Sequence, residues 1–362
     1  MKNLTYLLIF FLFLGTGCSD GEESQVVPNT TSTTGGGTLD PDEWMIPQSE
    51  VFDGGPGKDG IPSVDNPNFT AAAAVSFISP DDLVVAVNYN GETRAYPHPI
   101  LDWHEIVNDK IGNISLALTY CPLTGTGIGW DRNINGVETT FGVSGLLYNT
   151  NLLPYDRATD SYWSQMRHDC VKGELVGSRI NTYHVVEMSF STYQDMYPEG
   201  SVLNTNTGFS RSYGRYPYGS YRTDNNLIFP VQDEDNRLHR KERVLGVIME
   251  DAVQAYSFEK FPGSNITVLQ DEVDGTDIVV VGSTTKNFMT AYNRQMPDGT
   301  ILSFEAVQDQ FPVVMRDNEG TEWDAFGVAI SGPRTKESLT APLNYIGYWF
   351  ALSTFNPELE LN

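Results

Sequence analysis

The chain has 362 residues, and 47 acidic against 22 basic side chains give it a formal net charge of -25. Neutralising phosphate takes clustered Lys and Arg, so the balance argues against a nucleic-acid partner. Three cysteines, Cys18, Cys121 and Cys170, are too few for a disulfide scaffold, while the length allows a large core and two domains.

Met1-Lys2-Asn3 is a short basic head, and Leu4 to Leu14 is uncharged and apolar, too short to span a bilayer permanently. Residues 1–17 therefore read as a signal peptide. It ends in Leu14-Gly15-Thr16-Gly17-Cys18, which resembles the bacterial lipobox with its aliphatic residue one place further from the cysteine than usual. The expectation is a lipoprotein held to the membrane through lipidation of Cys18, with plain secretion as the alternative. Residues 18–45 read as a flexible acidic tether, since they hold too little apolar surface to fold. Asp20, Glu22 and Glu23, so close to Cys18, resemble the export signal of surface lipoproteins and imply the outer membrane, surface-exposed.

The body divides by self-similarity. Val84-Val85-Ala86-Val87 and Arg94-Ala95-Tyr96-Pro97 match Val244-Leu245-Gly246-Val247 and Gln254-Ala255-Tyr256-Ser257 at one offset. Farther on, Ile114 to Leu118 pairs with Ile278 to Gly282, Trp130-Asp131-Arg132 with Tyr292-Asn293-Arg294, Phe141 with Phe304, Trp163 with Trp323 and Pro198 with Pro357. The predicted fold is mainly β with short helices, an α+β class built from two tandem diverged copies of one β-rich unit. The N-terminal copy takes residues 46–200, a connector residues 201–241, and the C-terminal copy residues 242–362.

In chain order, Leu83 to Asn88 and Glu92 to Tyr96 form a hairpin across Asn90-Gly91. Pro99 to Asp109 is a helical candidate with Glu105 and Asp109 facing solvent, and Ile114 to Tyr120 is a buried strand. Ile128 to Arg132 and Val137 to Val143 are expected to pair across Asn133 to Gly136.

Cys121 sits where that buried strand ends and the turn Pro122-Leu123-Thr124-Gly125-Thr126-Gly127 begins. A thiol reacts or ligates as thiolate, so it needs donors nearby, which turn amides and the Thr124 hydroxyl can supply. His104, just upstream, is the expected base or co-ligand. Cys121, His104 and Thr124 are therefore the catalytic candidates, and copper is the metal that a soft thiolate with imidazole would suit. A buried inert thiol and a Cys121–Cys170 disulfide stand beside the functional reading. The C-terminal copy has Gly282-Ser283-Thr284-Thr285 in place of the cysteine turn, so it is expected to act as scaffold or lid. Asp131, Arg157 and Gln165 are candidate pocket lining. His98, His168, His184 and His239 form no zinc-protease pattern.

Several motifs together resemble one bacterial family. They are Pro62-Ser63-Val64-Asp65, Tyr96-Pro97, Trp103 to Asp109, Thr119 to Gly127, Ser144 to Asn149, and Tyr155-Asp156-Arg157 through Trp163-Ser164-Gln165. The family is domain of unknown function 3179, and it has no assigned activity. Some relatives carry cysteine or selenocysteine at the position matching Thr124, which implies redox work there. Threonine in this chain leaves at most a one-cysteine mechanism.

The connector interleaves Arg211, Tyr213, Arg215, Tyr216, Tyr218, Tyr221 and Arg222 inside an acidic protein. It reads either as a binding groove, with Arg215 and Tyr216 contacting a ligand, or as an ordered strap packed between the copies. Two functions follow from these residues: thiol-dependent redox or metal handling at Cys121, or a non-enzymatic module binding a small molecule, glycan or protein through the connector.

Overall fold

Asn90 and Gly91 both adopt positive φ, +50° and +82°, the backbone that a two-residue hairpin turn demands, and the hairpin forms as expected between Leu83–Tyr89 and Glu92–Pro97. The computed structural model describes residues 26–27 and 39–362; the expected signal peptide, Cys18 and most of the expected tether lie outside the described residues. Among the described residues strands hold 42% and helices 9%, so the protein is mainly β.

The first half builds three sheets. The hairpin is flanked by Val186–Ser189 on one side and by Ser201–Leu203, which runs parallel, and then Phe69–Ala71 on the other. A second sheet carries Ile106–Ile111, Ile114–Cys121, Thr126–Asp131, Thr182–Tyr183 and, at its edge, Val26–Val27. A third holds Val51–Asp53, Phe141–Tyr148, Asn151–Asp156, Tyr162–Ser164 and Asp169–Lys172.

The second half forms three smaller sheets. Leu343–Tyr348, Arg243–Ile248, Val253–Ser257 and a parallel Glu360–Leu361 form one sheet. Thr267–Val273, Thr276–Ser283 and Phe288–Asn293 form the next, and Phe304–Gln310, Val313–Asp317, Glu322–Asp324 and Ala329–Ser331 the last. A short helix follows the outer strand of the hairpin sheet in each half, α2 (Phe190–Met196) and α3 (Trp349–Phe355).

Two local expectations are corrected. The helix α1 covers only His98–His104, because Glu105 turns left-handed at φ +58° and the β-branched Ile106-Val107 then starts a strand. Thr126–Asp131 pairs with Ile114–Cys121, not with the segment after Gly136, where only a two-residue hairpin forms. Arg132 explains the parting: its buried guanidinium donates to the carbonyls of Leu116, Thr139 and Asp109, pinning the chain before it crosses to the third sheet.

The cores do not respect the two halves. One core combines Val84, Ala86, Val186, Phe190 and Tyr193 with Val279, Phe288, Val314, Trp323 and Leu339. Another combines Trp130, Phe141, Trp163 and Cys170 with Val244, Ala255, Tyr345, Trp349 and Leu352. Each half thus lays its hairpin sheet and helix onto the other half's remaining sheets. Smaller cores stay within one half, around Leu116 and Leu118 and around Val280 and Ala291.

Crossed cores tie the halves into one cooperative unit. Trp349→Ala, at a fully buried side chain, is expected to cost about 3–5 kcal/mol and to keep a single unfolding transition. Urea titration followed by tryptophan fluorescence and circular dichroism checks this, and two separated transitions would contradict it.

Candidate functional site

Cys121 ends its strand and closes a tight turn, with the amides of Thr124 and Gly125 donating to its carbonyl at 3.3 and 2.8 Å. Gly125 has φ +65°, and a Cβ there would meet the Tyr348 ring at 3.2 Å, so glycine serves both the turn and the close approach. The second half thereby reaches the site, and the Tyr348 amide also donates to Thr124 O at 2.8 Å.

The sulfur is 1% exposed, and its S–H points to Thr150 O at 3.7 Å. Burial first, and then the neighbouring Glu105 charge, push the thiol up to about 11. Hydrogen bonding from the Thr124 hydroxyl and amide and the Leu152 amide pulls the other way without overcoming desolvation. The Gly-rich turn does offer the donors expected of it, but the closed site keeps the sulfur protonated.

Glu105, expected at the solvent, is 7% exposed and accepts from the Tyr218 hydroxyl at 2.9 Å. Burial raises its carboxyl to about 7 against the Tyr218 bond, with the Asp102 charge adding to the rise. Asp109 is likewise buried, held by Arg94 and by the Tyr96 hydroxyl at 2.6 Å. Neither faces solvent, because the helix ends at His104, Glu105 is its left-handed cap, and Asp109 lies on the buried strand Ile106–Ile111.

The connector is a strap across this turn, without helix or strand from 204 to 242. The Tyr216 hydroxyl donates to Pro122 O at 3.3 Å and the Tyr221 hydroxyl to Leu123 O at 2.8 Å. Lys241 anchors the strap's foot: its ammonium donates to Tyr221 O, Asp224 O and Asn226 O and lies 3.5 Å from the Tyr221 ring centroid. Of the two connector candidates, Tyr216 faces inward, while Arg215 is exposed and meets the body through its carbonyl, which accepts from Trp103 Nε1 at 3.0 Å.

Thr124 and Gln165 do come together. Thr124 Oγ1 lies 2.8 Å from Thr126 Oγ1, and Thr126 donates to Gln165 Oε1 at 2.8 Å. Asn151 donates to Thr124 Oγ1 at 3.0 Å and Gln165 Oε1 at 2.7 Å, and Gln165 Nε2 donates to Thr119 Oγ1 at 3.0 Å. Among them Asn151 and Thr126 escaped the sequence reading, for polar side chains in apolar strands give no signal of which neighbours they will find.

Other candidates lie elsewhere. His104 has both ring nitrogens engaged at 2.7 Å, one with Pro62 O and one with the Tyr213 hydroxyl, leaving neither for the sulfur. Asp131 caps the Asn133 amide at the far end of its strand, about 17 Å of extended chain from Thr126. Arg157 pairs with Asp59 and Asp65 and donates to Ser63 Oγ at 2.9 Å. Cys121 and Cys170 are both free and buried, so no disulfide joins them. A copper centre on Cys121 and His104 does not fit: among the described residues no group of three or more His, Cys, Asp or Glu is placed to hold a metal ion.

A family model described as a protein of unknown function, DUF3179, matches residues 58–359. No curated protein and no solved structure matches the chain.

The raised Glu105 carboxyl fixes a pH response. Its folded value lies above its ordinary 4.5, so the native state holds the extra proton and stability falls as pH rises from about 4.5 to about 7. Glu105→Gln is expected to remove on the order of 3 kcal/mol of that slope. Melting temperatures of both proteins between those limits check it; parallel curves would contradict it.

Proposed function

The chain belongs to the DUF3179 family, and on that premise we propose an exported envelope protein, anchored by a lipidated Cys18, whose chemistry is thiol-dependent and centred on Cys121 beneath the strap. The observation that carries this reading is the convergence of three strap tyrosines on the Cys121 turn and on Glu105. A raised carboxyl beside a thiol lined by donors is the kind of perturbed cluster that marks functional sites. With the strap lifted, water relieves the desolvation that raises both the thiol and Glu105, and the Glu105 carboxylate is the neighbouring group that accepts the thiol proton. The resulting thiolate acts as a single sulfur on a disulfide ligand: the new S–S bond forms as the ligand's S–S bond breaks, and the departing thiolate takes up the proton held by Glu105, since Thr124 offers no resolving partner.

The second half serves as scaffold, and the two halves derive from one duplicated unit. Supporting this are the shared strand order and a repeated buried lock: Trp163 Nε1 donates to Asp156 at 3.0 Å, and Trp323 Nε1 to Asp317 at 3.0 Å. The second reading, a glycan- or protein-binding surface, draws on the exposed side chains of the strap, Phe209 at 42%, Ile228 at 50% and Arg215 among them.

Alkylation of the full-length protein tests the thiol reading, with Cys170, fully buried, as the internal reporter of global unfolding. Tyr218→Phe and Tyr216→Phe are expected to speed Cys121 labelling about tenfold or more, equivalent to about 1.4 kcal/mol of easier opening, while Cys170 stays unlabelled. Labelling of Cys121 only in step with Cys170 would sink it. For the anchor, metabolic labelling with a fatty acid is expected to mark the wild type and not Cys18→Ala; equal labelling would remove Cys18 from that role.

A further inference from the structure

One strap contact does more than cover the turn. Arg222 Nη2 donates to Asp102 Oδ1 at 2.7 Å and lies 3.4 Å from the Tyr120 hydroxyl, with its guanidinium carbon 4.0 Å from the Tyr216 ring centroid. The Arg222 side chain is 34% exposed while that of Asp102 is 3% exposed, so the guanidinium plugs a buried carboxylate from the solvent side.

The body's half of this contact is built from behind. The Tyr120 hydroxyl lies 3.1 Å from His98 Nδ1, His98 Nε2 lies 2.9 Å from Glu187 Oε2, and Arg243 holds the other oxygen of Glu187. His98 and Asp102 belong to α1, and Tyr120 to the strand that ends at Cys121, so these receiving groups are carried by regular elements of the body. The strap's half comes from a stretch without regular structure, held by side chains as a bound peptide is held. Tyrosine and arginine are the side chains that dominate affinity at protein interfaces. A planar guanidinium, weakly hydrated and able to stack on a ring, suits a buried carboxylate flanked by an aromatic face better than an ammonium does.

We propose that Asp102 and Tyr120, backed by His98 and Glu187, form a guanidinium site for an external arginine-bearing peptide, and that Arg222 is its internal occupant. The site rests on the reading of the strap as a movable cover, and it names what moves it: a ligand cation that replaces Arg222 loosens the strap over Cys121. The ligand class fits a protein of net charge -25, which gathers cationic peptides by its own field.

The test is chemical replacement of the missing group. In full-length Arg222→Ala, N-ethylguanidinium at millimolar concentration is expected to bind by calorimetry and to raise the melting temperature toward that of the wild type. Ethylammonium should bind at least about tenfold more weakly, and Arg222→Ala combined with Asp102→Asn should bind neither. Absence of binding, or equal binding with and without the Asp102 carboxylate, overturns the proposal. Should Arg222→Ala fail to fold, the wild type carries the test. Arginine methyl ester is expected to speed Cys121 or strap-proteolysis kinetics in the wild type and not in Asp102→Asn, and no difference overturns it. Because calorimetry and proteolysis do not need a reactive sulfur, an inert Cys121 would remove the thiol reading and leave the guanidinium result standing.

Discussion

Burial of each half's hairpin sheet against the other half's sheets governs the rest of the molecule. Phe190 and Tyr193 find their core among Val314, Trp323 and Leu339, and Trp349 and Leu352 find theirs among Trp130, Phe141 and Trp163. The exchange also sets the site, because α3 begins at the strand end that carries Tyr348, and Tyr348 packs on Gly125 and donates to Thr124. The turn that carries Cys121 is therefore gripped by the second half on one side and by the strap on the other.

Opposing forces meet at the sulfur. Donors from Thr124 and Leu152 would stabilise an anion, but taking the sulfur out of water and placing it beside Glu105 costs more. The donors are fixed around the sulfur, and water is what the closed turn keeps from it. The Thr124, Thr126, Asn151 and Gln165 hydroxyls and amides have one another as partners, which keeps the floor of the turn rigid.

Local signals in the sequence carried much of this. Asn90-Gly91 specified its hairpin, the apolar run from Ile114 specified a buried strand, and the motifs from Pro62 to Gln165 pointed to the family whose model spans residues 58–359. The unread parts depend on contacts between distant segments. Ile106 to Ile111 had helix-compatible residues on its N-terminal side, and only pairing with Ile114–Cys121 makes it a strand. Glu105 looked like a surface carboxylate because nothing nearby in the chain announces Tyr218, 113 residues later. The crossing of the cores between the halves was not legible either, since a strand has the same apolar pattern whichever partner it covers.

The crossed cores bear on how the chain is made. Strands from the first half cannot bury one face until Trp323 and Leu339 have been synthesised, and Trp130 and Phe141 wait for Trp349, near the end of the chain. A nascent first half is thus an incomplete body with open apolar sheets, whose contacts of long sequence separation close late and slowly. Closure of both shared cores therefore waits on the last strands and α3, so the order of synthesis and the order of burial run apart.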